Sequence, residues 1–426
     1  MRAKTKNTSL IIWLIIICMT NFGEFYKYLP LGSAIYSTDY MLLSCFLLSL
    51  CLLIFALVNN NGKLKKGEYF IIVWYLVVLV LVELVVTYVN YHQPIALTIK
   101  ESFYYLVPAT AYLAFVQWKQ MLNIKRFYNI LISASIICST IAIFAFVLYT
   151  YMGLNILRLS TSSVSDFRNG TIRFAVGGIV VYVAMTFSIG RLLAREYTKK
   201  DIVNIFLGTI QLVFINKTRA NIMYFIVVVL ITILLNKKVK KTYRALAISG
   251  LVISGLVALF TADSISQNVN LFISGDMGVM ARIEAIDFYM KQFLDKPLLG
   301  MGLLSGNQSA NDWQLVSGYN SAYYYYRDDV GVVGLINKFG IVGVIWVVYF
   351  FSKVAKNLKR ANKISYTSGC KSLLIYMMVS IISLNFMDAQ RVMYIFILLI
   401  CSELCLKNVE LDRISRDGER KIWTLR

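Results

Sequence analysis

Two cations interrupt an apolar run that extends from Ile202 to Leu235. The interruption reads "NKTR" (216–219) and places Lys217 and Arg219 in the middle of the run. Charged side chains at such positions are costly in lipid and commonly serve a function. Because arginine presents a planar fork of N–H donors that matches phosphate oxygens, the segment indicates a site for an anionic ligand.

Other arginines occur outside the lysine-rich segments that are described below. Together with Arg219 they predict an anion-binding group. For each one the alternative is a side chain that merely extends to a membrane interface. The other members of this group are Arg158, Arg168, Arg173, Arg282, Arg327 and Arg391.

A tyrosine-rich segment precedes two adjacent acids. The stretch "SGYNSAYYYYRDD" (317–329) holds five tyrosines within eight residues. Tyrosine stacks on the apolar face of a sugar and also offers a hydroxyl group, so Tyr319, Asn320 and Arg327 are predicted to bind a saccharide. An ordinary belt of interfacial aromatic residues is the alternative.

Carboxylates near these segments could accept a proton from a hydroxyl group. Asp329 ends the tyrosine-rich segment, and Glu83 lies inside an apolar run, where an acid is costly. We predict these two as catalytic residues, with Glu101 and Asp388 as further candidates for the base. For Glu83, structural pairing with an outer cation is the alternative. The chain has one histidine and no metal-ligand spacing, so we expect no metal and no cofactor.

Membrane spans are the elements that must position these residues. The chain has 426 residues, is 58% hydrophobic and contains repeated apolar runs of about 18 residues or more. Its net charge is +21, and seven segments hold 30 of the 43 lysines and arginines. This asymmetry is typical of cytoplasmic loops and gives no reason to expect nucleic acid as a partner. The segments are 1–6, 62–68, 119–126, 191–201, 236–244, 353–371 and the tail after Leu406.

Keeping all seven segments in the cytoplasm requires an even number of crossings between them. We therefore predict an all-α, polytopic integral membrane protein with about twelve spans, a single domain over 1–426 and both termini in the cytoplasm. The predicted spans are 9–22, 40–58, 69–89, 101–118, 128–152, 173–193, 202–216, 221–235, 245–261, 331–351, 372–387 and 391–405.

The run 202–235 is too long for one crossing, since a straight helix of that length would measure about 51 Å against a bilayer core of about 30 Å. A single crossing would also move the basic segment 236–244 to the outside. "NKTRAN" (216–221) is therefore predicted to be an external turn between two short spans. Arg219 would then project into a protein-lined cavity that opens outward.

One large external loop is predicted at 262–330. Apolar residues recur at helical spacing from Val279 to Phe293, Pro297 ends that helix, and Gly300-x-Gly302 forms a turn. We expect this amphipathic helix to lie along the outer membrane surface, with Arg282 in its first turn facing the protein.

Three motifs occur in a definite order along this topology. They are "KTRAN" at the start of a short span, "RIEAIDFYMKQFLDKPLLGMG" in the large loop and "DVGVVGLINKFGIVGVIW" entering the next span. Together they resemble the O-antigen polymerase and ligase superfamily, the Wzy-type integral membrane enzymes. The motifs cover roughly 160–350, and the topology covers most of the chain.

The resemblance implies a GT-C-like, metal-independent glycosyltransferase at the outer face of the bacterial inner membrane. Its substrates would be undecaprenyl-diphosphate-linked oligosaccharide repeat units, joined into O-antigen, capsule or exopolysaccharide, with a chain-length regulator as a possible protein partner. Arg219 and Arg282 fall at the positions that hold the diphosphate in the family. Arg168 or Arg173 matches a third position less closely.

Ligases of this superfamily typically carry a histidine where this chain reads "GYNSAYYYY". The only histidine here is His92, which lies in a different predicted loop, and this departure favours a polymerase over a ligase. A flippase or exporter for the same lipid-linked saccharide is a further alternative. We would expect a flippase to carry its cations in the middle of spans, whereas the arginines here lie at their external ends.

Overall fold

The computed structural model describes most of the chain between 38 and 424. The described residues are 38–156, 167–168, 171–172, 177–216, 219–235, 241–242, 244–245, 249, 277–307, 310, 312–320, 323–362, 364, 366–382, 386–388 and 391–424. The predicted span 9–22, most of 245–261, and the residues Arg158, Arg173 and Lys217 lie outside these ranges. Only the main chain is described for Arg168, Arg219, Tyr319 and Asn320.

The described residues are mainly helical, and ten of the predicted spans coincide with helices. The helices are α1 Thr38–Asn59, α2 Phe70–Tyr91, α3 Ile95–Trp118, α4 Ile124–Met152, α5 Gly178–Leu193, α6 Lys199–Ile210 with a π-helical extension Gln211–Asn216, α7 Arg219–Leu235, α8 Met277–Asp295, α9 Val332–Arg360, α10 Thr367–Ser380 and α11 Met393–Thr424. Among them α1 (over Leu42–Asn59), α2, α4 and α9 are long and apolar enough to cross a membrane, and α5 and α7 are shorter apolar helices.

Short elements complete the described structure. Strand β1 (Phe167–Arg168) pairs with β2 (Thr171–Ile172), and β3 (Tyr319–Asn320) pairs with β4 (Tyr323–Tyr324), both antiparallel. Single 3₁₀ turns occur at Lys119–Met121, Trp313–Leu315 and Arg327–Asp329. The amphipathic helix predicted in the large loop is confirmed as α8, which ends two residues before Pro297.

The predicted bounds are wrong at α10, which begins earlier and ends earlier than the expected span 372–387. Where α10 ends, Gly331 packs directly against the carbonyl groups of Ile381 and Ile382. A side chain at Gly331 could not fit, so the end of α10 and the start of α9 are fixed against each other.

Helix α6 runs antiparallel to α5. Near its start, the Asp201 carboxylate lies 3.0 Å from the Arg191 guanidinium at the end of α5. At the end of the π-helical extension, Asn216 Nδ2 donates to Tyr182 Oη near the start of α5, at 3.0 Å. The chain therefore reaches "NKTR" at the end of the bundle where α5 begins.

Helix α7 then returns in the opposite direction. The Phe225 ring packs on Tyr182 with their centroids 6.0 Å apart, so α7 starts at the same level. Further along, Thr232 Oγ1 lies 3.4 Å from Ser372 Oγ, which in turn abuts Gly190 near the other end of α5. The predicted reversal between the two halves of the apolar run is thus confirmed.

Four of the predicted cytoplasmic segments meet around the buried carboxylate of Glu403. Lys119 Nζ lies 2.6 Å from Glu403 Oε1, and the main-chain N–H of Glu68 donates to Oε2 at 3.1 Å. Glu68 also pairs with Arg360 at 3.4 Å, and Lys407 Nζ donates to the carbonyl of Lys119 at 3.1 Å. Segments 62–68, 119–126, 353–371 and the tail therefore lie at one end of the bundle.

Segment 191–201 lies at the same end. Ser368, within segment 353–371, donates to Glu196 at 3.2 Å. The buried Arg191 guanidinium lies between the rings of Tyr128 and Tyr366, at 4.5 and 4.6 Å from their centroids, and pairs with Asp201. The gathering of basic segments at one end is what the positive-inside pattern predicts for the cytoplasmic side.

This arrangement predicts which residues an impermeant thiol reagent reaches in intact cells. Lys291→Cys, exposed on α8, is expected to react from outside, whereas Lys199→Cys, exposed at the basic end, is expected to react only after permeabilisation. The measurement is labelling by a charged maleimide, with the unsubstituted chain and its seven cysteines as background. Equal labelling of both variants in intact cells would contradict the assigned sidedness.

Candidate functional site

Helix α9 is broken eight residues after it starts. Gly340 has φ 58° and ψ −158°, a conformation that is essentially confined to glycine. A Cβ atom at Gly340 would collide with the carbonyl group of Leu298, which belongs to the loop after α8. The break lies about 30 Å along α9 from Arg360 and hence from the basic end of the bundle.

The loop 297–302, which we name the clamp loop, satisfies the main-chain groups that the break leaves without helical partners. Met301 and Gly302 donate to the carbonyl groups of Asn337 and Lys338, at 2.7 and 3.0 Å. On the far side of the break, the N–H groups of Ile341 and Val342 donate to Pro297 and Leu298, at 2.9 and 3.3 Å. Such partners are obligatory for main chain away from water.

The predicted Gly300-x-Gly302 turn is confirmed, and its purpose is this docking. Both glycines have positive φ angles, 69° and 75°. A Cβ at Gly300 would meet the carbonyl of Asn337, and one at Gly302 would meet Thr87 Oγ1. The two sequence motifs "DKPLLGMG" and "GLINKFGIVG" therefore contact each other directly through main-chain hydrogen bonds.

Arg327 is buried beneath the clamp loop and does not lie on a sugar-facing surface. Its guanidinium donates to the carbonyl groups of Gly302 and Leu304, at 3.4 and 3.1 Å, and its side chain is 5% exposed. The predicted direct role in saccharide binding conflicts with this geometry, because two donors are used by the loop and little of the side chain is accessible. Arg327 instead holds the loop in place.

Lys338 lies in the last turn before the break, with its ammonium group turned inward. Nζ donates to Tyr105 Oη on α3 at 2.6 Å and lies 3.7 Å from Asp328 Oδ1. The Lys338 side chain is 6% exposed, whereas that of Asp328 is 46% exposed. Asp328 therefore connects this buried cation with the surface.

Two acids from α2 and α3 lie on the other side of the clamp loop. Glu101 accepts a hydrogen bond from Ser305 Oγ at 3.0 Å and interacts electrostatically with Lys338. Glu83 is fully buried, and neither of its carboxylate oxygens has a hydrogen-bond partner among the described residues. Its Oε2 lies 3.5 Å from where a Cβ of Gly302 would be.

A further pair follows α10. The main-chain N–H of Arg391 donates to Asp388 Oδ1 at 2.6 Å, and the Arg391 guanidinium forms an ion pair with the same carboxylate. Asp388 is close enough to Asp328 and Lys338 to interact electrostatically with both. We call the whole group the polar cluster; it comprises Glu83, Glu101, Arg327, Asp328, Asp329, Lys338, Asp388 and Arg391.

The start of α7, where Arg219 lies, is at the same end of the bundle as the polar cluster. Phe225 packs on Tyr376 with centroids 5.3 Å apart, and Tyr376 packs on Tyr394 at 5.9 Å. Tyr394 follows Arg391 by one helical turn, and its N–H donates to the Arg391 carbonyl at 2.9 Å. This aromatic stack links the reversal at "NKTR" to the Asp388–Arg391 pair.

Arg282 is an exposed cation at the edge of the α8 interface. It shares a helix face with Ala285 and Tyr289, which are buried against Val330 and Val333 at the start of α9. That face points toward the protein, as expected, but the Arg282 side chain lies beyond the packed surface. None of the described acids forms an ion pair with it.

Burial raises the pKa of the Tyr289 phenol, which donates to the Val316 carbonyl at 2.5 Å.

The remaining predicted residues lie in the large loop and in the segment between α4 and α5. Tyr319 and Asn320 form β3 and Arg168 belongs to β1, each described by its main chain alone. Tyr324 and Tyr326 are exposed, whereas Tyr325 turns inward and donates to Glu284 at 2.7 Å. Exposed tyrosines on this segment suit a sugar surface, which stays a prediction.

Glu83 and Asp329, predicted as catalytic residues, lie in the polar cluster, and their catalytic role stays a prediction. The sequence analysis did not identify most of their partners. Lys338 carried a signal, since a lysine inside an apolar span is costly. Tyr105 and Ser305 carried none, because ordinary polar residues of this kind occur throughout such helices and loops. In the described part of the chain, no group of three or more His, Cys, Asp and Glu residues could hold a metal ion.

No protein-family model matches the chain, and no curated protein matches it.

The break in α9 predicts a strong effect of Gly340→Ala on stability. The variant forces alanine into a conformation reserved for glycine and against the Leu298 carbonyl, which is expected to cost about 3 kcal/mol or more. Gly62→Ala is the matched control, since Gly62 also has positive φ (74°) but open space around it, and about 1 kcal/mol is expected there. Thermal unfolding in detergent measures the stability of both variants. Equal losses of stability would contradict the docking of the clamp loop against Gly340.

Two fully buried glutamates are expected to differ in how much stability is lost when their charge is removed. Glu403→Gln removes the partner of Lys119 and is expected to cost about 1–3 kcal/mol of unfolding free energy. Glu83→Gln removes no hydrogen bond to a described residue, so a change below about 1 kcal/mol is expected. The same unfolding assay checks this pair. A Glu83→Gln loss as large as that of Glu403→Gln would show that Glu83 is a structural residue.

Proposed function

We propose that this protein is a polymerase that joins undecaprenyl-diphosphate-linked oligosaccharide repeat units at the outer face of the bacterial inner membrane. The observation that carries the proposal is the docking of two motifs of the resemblance, "DKPLLGMG" and "GLINKFGIVG", at the broken helix α9. Their contact surrounds a polar cluster at the end of the bundle opposite to the basic segments. The proposal includes twelve spans, a GT-C-like fold, cytoplasmic termini and a chain-length regulator as partner.

The reaction breaks the bond between the anomeric carbon and the diphosphate oxygen of the donor. An acceptor hydroxyl oxygen forms the new glycosidic bond to that carbon, and its proton passes to a carboxylate. Negative charge grows on the departing diphosphate. Arg219 and Arg282 are assigned to hold it, since Arg282 is exposed at the site edge and α7 begins with Arg219 at the same end. Each such cation stabilises the transition state by a few kcal/mol.

Glu83 is the carboxylate that we assign as base. Glu101 already accepts a hydrogen bond from Ser305, and Asp388 is paired with Arg391. Asp329 is half-buried in the 3₁₀ turn nearer the surface and is the second candidate. Glu83 alone combines full burial with two free acceptor oxygens among the described residues, so an acceptor hydroxyl would complete its hydrogen bonding.

A flippase is the second candidate function, and the broken helix favours it. Discontinuous membrane helices that present main-chain and charged groups at a binding site are typical of transporters. The test must therefore distinguish a longer product from a relocated one.

The test uses purified protein in liposomes with undecaprenyl-diphosphate-linked repeat units and no other enzyme. A ladder of longer lipid-linked glycans is expected from the unsubstituted chain. Arg219→Ala and Arg282→Ala are each expected to slow its formation about 10²-fold. Lys291→Ala, which changes another exposed cation of α8, is the matched control and should leave the rate unchanged.

Folding of every variant is verified by its unfolding temperature. If no ladder forms and the repeat units move to the other leaflet, the protein is a flippase and not a polymerase. A ladder that Arg219→Ala and Arg282→Ala leave intact would remove both arginines from the site.

A further inference from the structure

The polar cluster carries more acids than bases. Its five carboxyl groups are those of Glu83, Glu101, Asp328, Asp329 and Asp388, and its three cations are Arg327, Lys338 and Arg391. The cations are already engaged within the protein. The Arg327 guanidinium is bound to two loop carbonyls, the Arg391 guanidinium is paired with Asp388, and Lys338 Nζ contacts Tyr105 and Asp328.

Glu83 is the unpartnered member that points to a ligand. It is fully buried, both oxygens lack hydrogen bonds to described residues, and it lies against the clamp loop beside Gly302. Buried polar atoms are normally hydrogen-bonded, and an unfilled acceptor of this kind is matched by a donor that arrives with a ligand. As a carboxylate, Glu83 accepts hydrogen bonds from the N–H and O–H groups of a ligand.

One member of the cluster lies at the surface. The Asp328 side chain is 46% exposed and contacts the buried ammonium of Lys338. Two residues before Asp328, the ring of Tyr326 is exposed at 62% and is available to stack on a sugar. An anionic group that approaches here meets Asp328 and Asp329 before any unpaired cation, and the like charges disfavour its binding.

We propose that the polar cluster is the subsite for the terminal sugar of the acceptor glycan, and that it selects a neutral or amino sugar and rejects an acidic one. The diphosphates stay outside the cluster, at Arg219 and Arg282, so donor anion and acceptor sugar bind in separate places. The inference deepens the proposed function and rests on it in one respect, namely that the acceptor is a saccharide.

Saturation-transfer NMR on the full chain in an amphipol, which has no sugar headgroup, tests the selection. The probes are methyl glucoside, glucosamine and glucuronate, each alone at the same concentration. Methyl glucoside and glucosamine are expected to give signals at least about tenfold stronger than glucuronate, as one unfavourable charge contact implies. Equal or stronger transfer to glucuronate would overturn the inference.

The variants locate the binding. Glu83→Gln is expected to weaken glucosamine binding about tenfold, because the charged partner of the ammonium is lost. Glu83→Asp keeps the charge and should retain part of the glucosamine binding. It therefore distinguishes loss of the charge from a folding defect. Asp287→Asn, on the exposed face of α8, is the control and should change nothing. Unchanged glucosamine binding in a folded Glu83→Gln variant would place the sugar elsewhere.

The liposome assay separates this inference from the proposed function. If repeat units that end in an acidic sugar are joined as fast as neutral ones, the selection is wrong while the polymerase stands. If the NMR selection holds and no ladder forms, the subsite exists in a protein that is not a polymerase.

Discussion

The need to satisfy main-chain hydrogen bonds at the break in α9 is the constraint on which the rest of the site depends. Gly340 stops the helix and frees carbonyl groups on one side and N–H groups on the other. Away from water these groups need protein partners, and the clamp loop supplies four of them. Gly300 and Gly302 are required because no side chain fits between the loop and the helix.

Once the clamp loop is docked, the charged residues follow. The carbonyl groups of Gly302, in the loop, and of Leu304, just beyond it, bind Arg327, and the nearby Ser305 binds Glu101. Loss of the docked clamp loop would therefore disturb α2, α3 and the outer loop together, although none of these elements is adjacent in sequence to Gly340.

The two ends of the bundle differ in how their buried glutamates are paired. At the basic end Glu403 has a full set of partners, as a structural ion pair requires, whereas Glu83 at the other end has no hydrogen-bond partner among the described residues.

The sequence predicts the elements of this fold far better than their contacts. Runs of apolar residues set the helices, Pro297 and the Gly300-x-Gly302 pair mark a real helix end and turn, and the charge excess separates the two ends. The reversal at "NKTR" followed from the length of the apolar run and from the basic segment that follows it. The break at Gly340 was missed, since a glycine within an apolar run is common in membrane helices and its dihedral angles depend on the loop that docks there. The burial of Arg327 was missed for the same reason, because its partners are main-chain carbonyls that leave no trace in the sequence.

The layer between the two ends bears on the choice between an enzyme and a transporter. Between the break and Asn357, the side chains that α9 buries are apolar, and they include Trp346, Val347, Phe350 and Val354. Between its basic end and Glu83, α2 likewise buries Ile72, Val73, Leu76, Leu79 and Val80. A path for a polar saccharide through the bundle would need polar groups at this depth. Along α2 and α9 the described polar cluster therefore has an apolar floor, and it is connected to the surface at Asp328. Polar side chains buried in the bundle, such as Ser139, Ser188 and Asn204, lie on α4, α5 and α6. The floor beneath the cluster supports the proposed reaction on one side of the membrane.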